Sequence, residues 1–255
     1  MMRALFVGVC LITATVFSAY AQSMEKTVSD PKAVAIADQV VQAMGGQDAW
    51  NNTRYIRFSF FGSRMHHWDK WTGRYRVEWK RDEKSYLVLM NLNTGEGRGF
   101  VNGVETTDEE RKTLLKQGRD AWINDTYWML MPYKLRDPCV TLTYAGEETT
   151  DGVVYDKLHL SFDQVGNTPG DEYWAYINRQ THLMDKWVFL LQLRQGQSER
   201  SRGEYRWNNW QKYGRILLSP EREGANGQKR IMDKIAVFDT LPDAIFDSPE
   251  SVPGM

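Results

Sequence analysis

From Arg54 onward, apolar side chains recur at every second position in one run after another, and this alternation most constrains the fold. In residues 54–61, Ile56, Phe58 and Phe60 share one face while Arg57 and Ser59 take the other. Residues 74–80 set Tyr75, Val77 and Trp79 against Arg74, Arg76, Glu78 and Lys80. Successive strand side chains point to opposite faces, so both runs predict half-buried antiparallel strands with one wet face. Residues 85–92 are apolar on both faces and suggest a more central strand. Asn93-Thr94-Gly95, Asn102-Gly103, Asp151-Gly152 and Asn226-Gly227 supply hairpin-type turns. Further strands are expected at 140–144, 153–162, 172–178, 183–193, 204–210, 215–218 and 231–239. About ten or eleven strands at hairpin spacing describe an antiparallel meander that must curve or close. The expected class is α+β, predominantly β.

Two segments break the alternation. Asp30-Pro31 is a helix start, with Asp as N-cap and Pro at the first helical position. Val34, Ala37, Val40, Val41 and Met44 then recur at helical spacing until Gly45-Gly46 stops the helix. Residues 105–135 form a helical insertion. Residues 109–116 are charged and helix-friendly, Gly118 interrupts them, and residues 121–131 are apolar nearly all round up to Pro132. A helix apolar on most sides is wrapped on most sides, so this segment is a candidate lid over the sheet.

Residues 1–21 are expected to be a secretory signal peptide. Met1-Met2-Arg3 precedes an apolar run, and Ala19-Tyr20-Ala21 places small residues about a cleavage site after Ala21. No Pro- or Ser-rich linker and no repeat divides residues 22–255, which read as one domain of a periplasmic or secreted protein. Cys10 lies inside the leader, so Cys139 alone remains and no internal disulfide forms. Following Pro138 and preceding a strand, Cys139 is expected to be a buried, small apolar residue. With 32 basic against 33 acidic side chains, nothing supplies the cationic excess that nucleic acid requires.

The search for chemistry is mostly negative. His66, His67 and Asp69 invite a metal or hydrolytic reading, but adjacent strand residues face opposite ways and chelate poorly. A hydrogen-bonded or solvated histidine pair is the simpler expectation, and His159 and His182 read as structural. No nucleophile elbow, P-loop, zinc-protease or paired-cysteine motif occurs. Gly95-Glu96-Gly97-Arg98-Gly99 links strands and opens no helix, so it is read as a hairpin loop. The carboxylate pairs at 109–110, 147–148 and 171–172 sit at turns or helix starts, as solvated faces do. No cofactor, metal site or catalytic residue is expected.

What the chain does supply is apolar surface. Phe58, Phe60, Trp79, Leu158 and Leu160 gather on one sheet face with Ile56, Val77 and Phe162, and Trp187, Phe189 and Leu191 add to it. These residues either fill a core beneath the helices or line a lipid-sized cavity on the concave side.

The strand Gly73-Arg74-Tyr75-Arg76-Val77-Glu78-Trp79 and the ending Leu241-Pro242-Asp243-Ala244-Ile245-Phe246-Asp247-Ser248-Pro249 resemble the LolA/LolB-like family of periplasmic lipoprotein-carrier and lipoprotein-sorting proteins. The resemblance spans about residues 30–250. It implies a half-barrel of antiparallel strands whose concave side is covered by helices. It also implies reversible binding of a lipid, acyl chain or lipoprotein anchor, with peripheral contact at a membrane. By the same resemblance Trp128, Met129 and Met131 belong to the lid, where soft Met side chains suit a mobile chain. Arg57 or Arg76 would then hold a headgroup at the cavity mouth. The rival expectation is an envelope structural or sensor protein that binds a protein partner through the concave face.

Overall fold

The computed structural model describes residues 28–163 and 166–251. The expected signal peptide lies outside the described residues. Helix α1 (Pro31–Ala43) starts as its sequence requires, with the Asp30 carboxylate accepting from the Lys32 N–H at 2.8 Å. Ala33, Ile36, Ala37, Val40 and Val41 form its buried stripe. Gly45 then takes a left-handed φ of 119°, and a short α2 (Gly46–Asn51) follows.

Six strands come next as a meander: β1 (Tyr55–Phe60), β2 (Arg64–Asp69), β3 (Arg74–Arg81), β4 (Lys84–Asn91), β5 (Gly97–Val101) and β6 (Val104–Glu105). Helix α3 (Asp108–Leu130) and a 3-10 turn (Met131–Lys134) lead into a second meander. It comprises β7 (Val140–Thr150), β8 (Val153–Phe162), β9 (Glu172–Asn178), β10 (Met184–Leu190) and β11 (Arg202–Asn208). After a small ribbon, β12 (Gln211–Tyr213) and β13 (Ile216–Leu218), come β14 (Glu221–Gly224), β15 (Lys229–Ile231) and β16 (Asp233–Phe238). Helix α4 (Ala244–Asp247) is the last regular element described.

These strands make two seven-stranded antiparallel sheets, in the orders β16-β1-β2-β3-β4-β5-β6 and β15-β14-β11-β10-β9-β8-β7. The chain passes from the first to the second through α3 and returns at one residue. Met232 separates β15, an edge of the second sheet, from β16, an edge of the first. It is buried, and its N–H donates to the Pro220 carbonyl at 2.9 Å. The fold is therefore the expected curved meander with helices, α+β and mostly β. Sixteen strands are described rather than ten or eleven. The additional ones are β5, β6, β12, β14 and β15, too short to show alternation, and β2, whose two histidines hide it.

One apolar cluster joins the inner faces of both sheets. It holds Ile36, Val40 and Met44 beside Phe58 of the first sheet and Leu158, Trp187 and Trp207 of the second. Helix α3 lies on the inner face of the first sheet, where Leu114 meets Tyr75, Val77 and Val88. Gly118 does not interrupt this helix, contrary to expectation. A Cβ there would lie 2.9 Å from Val88 Cγ1, so the missing side chain is what lets the helix settle on β4.

The outer face of the first sheet is only partly wet. Residues 241–250 form a strap across it. Arg76, only 1% exposed, donates to the carbonyls of Ile245 (3.2 Å), Ser248 (2.8 Å) and Glu250 (3.0 Å). Arg98 donates to the Asp247 carbonyl. Arg74 bonds the Asp243 carboxylate at 2.8 Å, and its guanidinium lies 4.9 Å from the Phe246 ring centre. Arg76 thus holds this chain's own backbone rather than a cavity headgroup, while Arg57 donates to the Lys234 carbonyl at 3.1 Å.

Candidate ligand-binding cleft

The C-terminal half of α3 is fixed by a buried polar chain. Asp125 of α3 receives Arg64 in a two-pronged pair, 2.6 and 2.8 Å, and lies 2.9 Å from His66 Nε2. Tyr75 Oη lies 2.6 Å from His66 Nδ1, and the imidazole stacks on Phe58 with ring centres 4.4 Å apart. Burial outweighs the Asp125 contact and lowers the His66 pKa, so the ring is neutral near pH 7. Its Nε2–H then faces Asp125, while Nδ1 accepts from the tyrosine hydroxyl. The Asp125 carboxyl is held below its ordinary range by His66 and Arg64 despite its burial. Tyr75, His66 and Asp125 are all closed to solvent, so this row positions a helix and reaches no substrate.

His67 faces the other side of β2. Both of its ring nitrogens are buried without a partner, and burial, with help from Arg76 and Arg57, lowers its pKa to about 3. Asp69 is held by Arg54, at 3.0 and 3.2 Å, and not by His67. The pairing that a hydrolytic reading needed is absent among the described residues.

With one side of α3 pinned to the first sheet, Trp122, Ile123, Thr126, Tyr127 and Trp128 border an open cleft of about 330 Å³. Pro138 and Val140 at the start of β7, Phe162 ending β8 and Tyr173 on β9 complete its apolar walls. Lys134, Asp137 and residues 166–168 form its polar margin. Lys134 is already bonded to Asp137, Thr168 donates to Asp171 at 2.6 Å, and Asn167 donates to the Asp120 carbonyl at 3.1 Å. Tyr127 stands edge-on to Tyr173 and Phe162, with ring centres 5.2 and 6.1 Å away. A concave, aromatic space of this size suits part of a small apolar ligand. Cys139, expected to be buried, is exposed beside this cleft. Its φ of 67° turns the chain at the head of β7.

The candidates drawn from the sequence sit mostly in the packed core. Phe58, Leu158 and Leu160 are wholly buried, and Met129, Met131 and Trp187 are at most 1% exposed. Phe60 is buried beneath the Arg64 guanidinium, and Phe189 is half-buried against Trp187. Trp79 stacks on Tyr86 in a separate cluster with Tyr75 and Val77. Of these candidates only Trp128 borders the cleft, standing edge-on to Trp187 and Tyr205, both 4.9 Å away between ring centres. Its carbonyl accepts from Arg222, a buried cation 3.3 Å above the Trp207 ring. Strand alternation does not mark Trp122, Thr126 and Tyr127. The signal that could have found them is i, i+4 spacing, which pairs Trp122 with Thr126 and Ile123 with Tyr127 on this border.

No protein-family model and no curated protein sequence matches the chain. Solved structures do resemble it. A DUF1329 family protein from Desulfovibrio piger superposes with a TM-score of 0.45 and 13% identity, over 86% of this chain and 98% of that one. A LolA superfamily protein from Nitrosomonas europaea gives 0.38 and 12%, over 84% and 96%. A Vibrio parahaemolyticus domain named for outer membrane lipoprotein sorting gives 0.39 and 8%, over 83% and 97%. No helix among the described residues is long and apolar enough to cross a membrane.

Proposed function

We propose that this is a non-enzymatic binding protein of the bacterial envelope, exported by residues 1–21, that holds the acyl part of a lipid or lipoprotein in the cleft between α3 and the β7–β9 end of the second sheet. The observation carrying this reading is the cleft itself, open and walled by Trp122, Tyr127, Trp128, Phe162 and Tyr173. The Gly-x-x-Arg-x-Glu strand at residues 73–78 and the Leu-Pro…Phe…Pro ending point in the same direction, through their likeness to lipoprotein carriers. No covalent step is needed. Burial of each acyl methylene contributes about 0.8 kcal/mol, so a short stretch of chain gives useful affinity.

Native mass spectrometry of protein purified without detergent tests the proposal, with solvent extraction of whatever it carries. A discrete added mass that extracts as lipid is expected, reduced in Val140→Phe, which narrows the cleft. A bare protein that also takes up no phospholipid or acylated peptide would overturn the reading, and a bound polypeptide would favour the protein-partner alternative.

A further inference from the structure

The cleft border contains two hydrogen-bond donors without partners. Tyr127 Oη and Trp122 Nε1 are both buried and unbonded, whereas the marginal groups Lys134, Asn167 and Thr168 are already engaged. A buried hydroxyl left unbonded is costly, and a bound acceptor would recover that cost. The two donors stand five residues apart on α3, about 7.5 Å along the helix axis, and so serve separate acceptors.

The charge around Tyr127 decides which kind of acceptor. Burial pushes the Tyr127 hydroxyl pKa well above the ordinary tyrosine value, and Tyr173, Asp137 and Asp171 add to the shift electrostatically. The nearest cation on the margin, Lys134, is bonded to Asp137. Asp171 is itself buried, accepting from the Thr168 hydroxyl and from the Gln192 N–H at 2.7 Å. An anionic headgroup placed here would meet an Asp137 carboxylate already paired with Lys134, the buried Asp171 behind the wall and, among the described residues of the margin, no free cation. A neutral acceptor therefore fits and a carboxylate or phosphate does not.

We infer that the cleft selects a neutral acyl ester or amide, its carbonyl oxygen accepting from Tyr127 Oη, and rejects the free fatty acid of the same length. This rests on the acyl-binding reading above and adds the headgroup chemistry to it. Trp122 Nε1 offers a second donor to a ligand that carries another carbonyl.

Three probes that share a ten-carbon chain test it at pH 8 by competition with a fluorescent apolar reporter: methyl decanoate, decanoate and 1-chlorodecane. Methyl decanoate is expected to bind tightest, with decanoate weaker by about tenfold or more. Tyr127→Phe keeps the ring against Phe162 and Tyr173, and should weaken methyl decanoate about 3- to 10-fold while leaving 1-chlorodecane unchanged. If methyl decanoate shows no advantage over decanoate or 1-chlorodecane, or keeps it fully in a folded Tyr127→Phe, the carbonyl inference falls and the acyl-binding reading stands. If none of the three binds, both fall. The wild-type comparison decides by itself should the variant not fold.

Discussion

His66 and His67 are neighbours in sequence and opposites in environment. One lies between Tyr75 and Asp125, and the other is buried on the opposite face of β2 with both ring nitrogens unbonded. Both have pKa values lowered by burial, that of His67 to about 3. An unfolded histidine takes up its proton near pH 6.5, so below that pH the unfolded chain binds more protons than the native one. For His67 stability therefore falls as pH drops from about 6.5 towards 3, by up to about 1.4 kcal/mol per pH unit, and His66 acts in the same direction. Urea unfolding at pH 7, 6 and 5 should show this decline, and His67→Phe should make it shallower. The depressed Asp125 carboxyl acts in the same direction at lower pH, since its stabilisation is lost as it becomes protonated. Alternation alone argues against a metal at this pair, because it separates the two rings. It does not reveal Asp125 as the partner, which arrives from a helix 59 residues beyond His66.

At the scale of elements, alternation and helical spacing locate α1, β1, β3, β4 and the long strands of the second sheet. They fail where a residue's local preference and its packing disagree. Glycine inside a helix costs about 1 kcal/mol relative to alanine, which is why Gly118 reads as a break. The contact with Val88 reverses that preference, because a Cβ at 2.9 Å from a stiff β-branched side chain must push the helix off the sheet. Gly118→Ala is therefore expected to lower stability by about 1–2 kcal/mol, despite its better helix propensity. Thermal unfolding should show a lower midpoint, and any rise would mean that α3 rides higher over β4 than described. The same displacement would alter the cleft, since Trp122 stands one helical turn further along.

Across the whole molecule, sequence and structure part most widely over what covers the sheet. Residues 74–80 alternate as a strand with one wet face does, yet Arg74 and Arg76 of the charged side meet residues 241–250 while Lys80 stays exposed. Nothing in strand periodicity reports what a segment some 170 residues away will cover. The family likeness includes that ending but does not say where it sits. The cleft is equally illegible, because it arises where α3, the approach to β7 and the start of β9 converge, while the strand faces expected to wall it pack into core. Arg76 is the strap's main fastening, with three carbonyls on one guanidinium. Arg76→Met should lower stability by about 2–4 kcal/mol and release residues 241–250 selectively. Hydrogen exchange should then rise at 245–250 well before it rises in β3, whereas uniform exchange would show that strap and sheet open as one unit.

The single-residue crossing at Met232 also sets an order of events. β1 is the first strand described, and its partner on the free side, β16, is the last, with Tyr55 opposite Phe238. A growing chain can pair β1 through β6 early. It must nevertheless carry β1 as a naked edge until almost all of the polypeptide is present. Contacts so distant in sequence slow folding and leave a template on which a second molecule could add. The interval before β16 docks is therefore the protein's vulnerable period, when a holdase would be of most use to it.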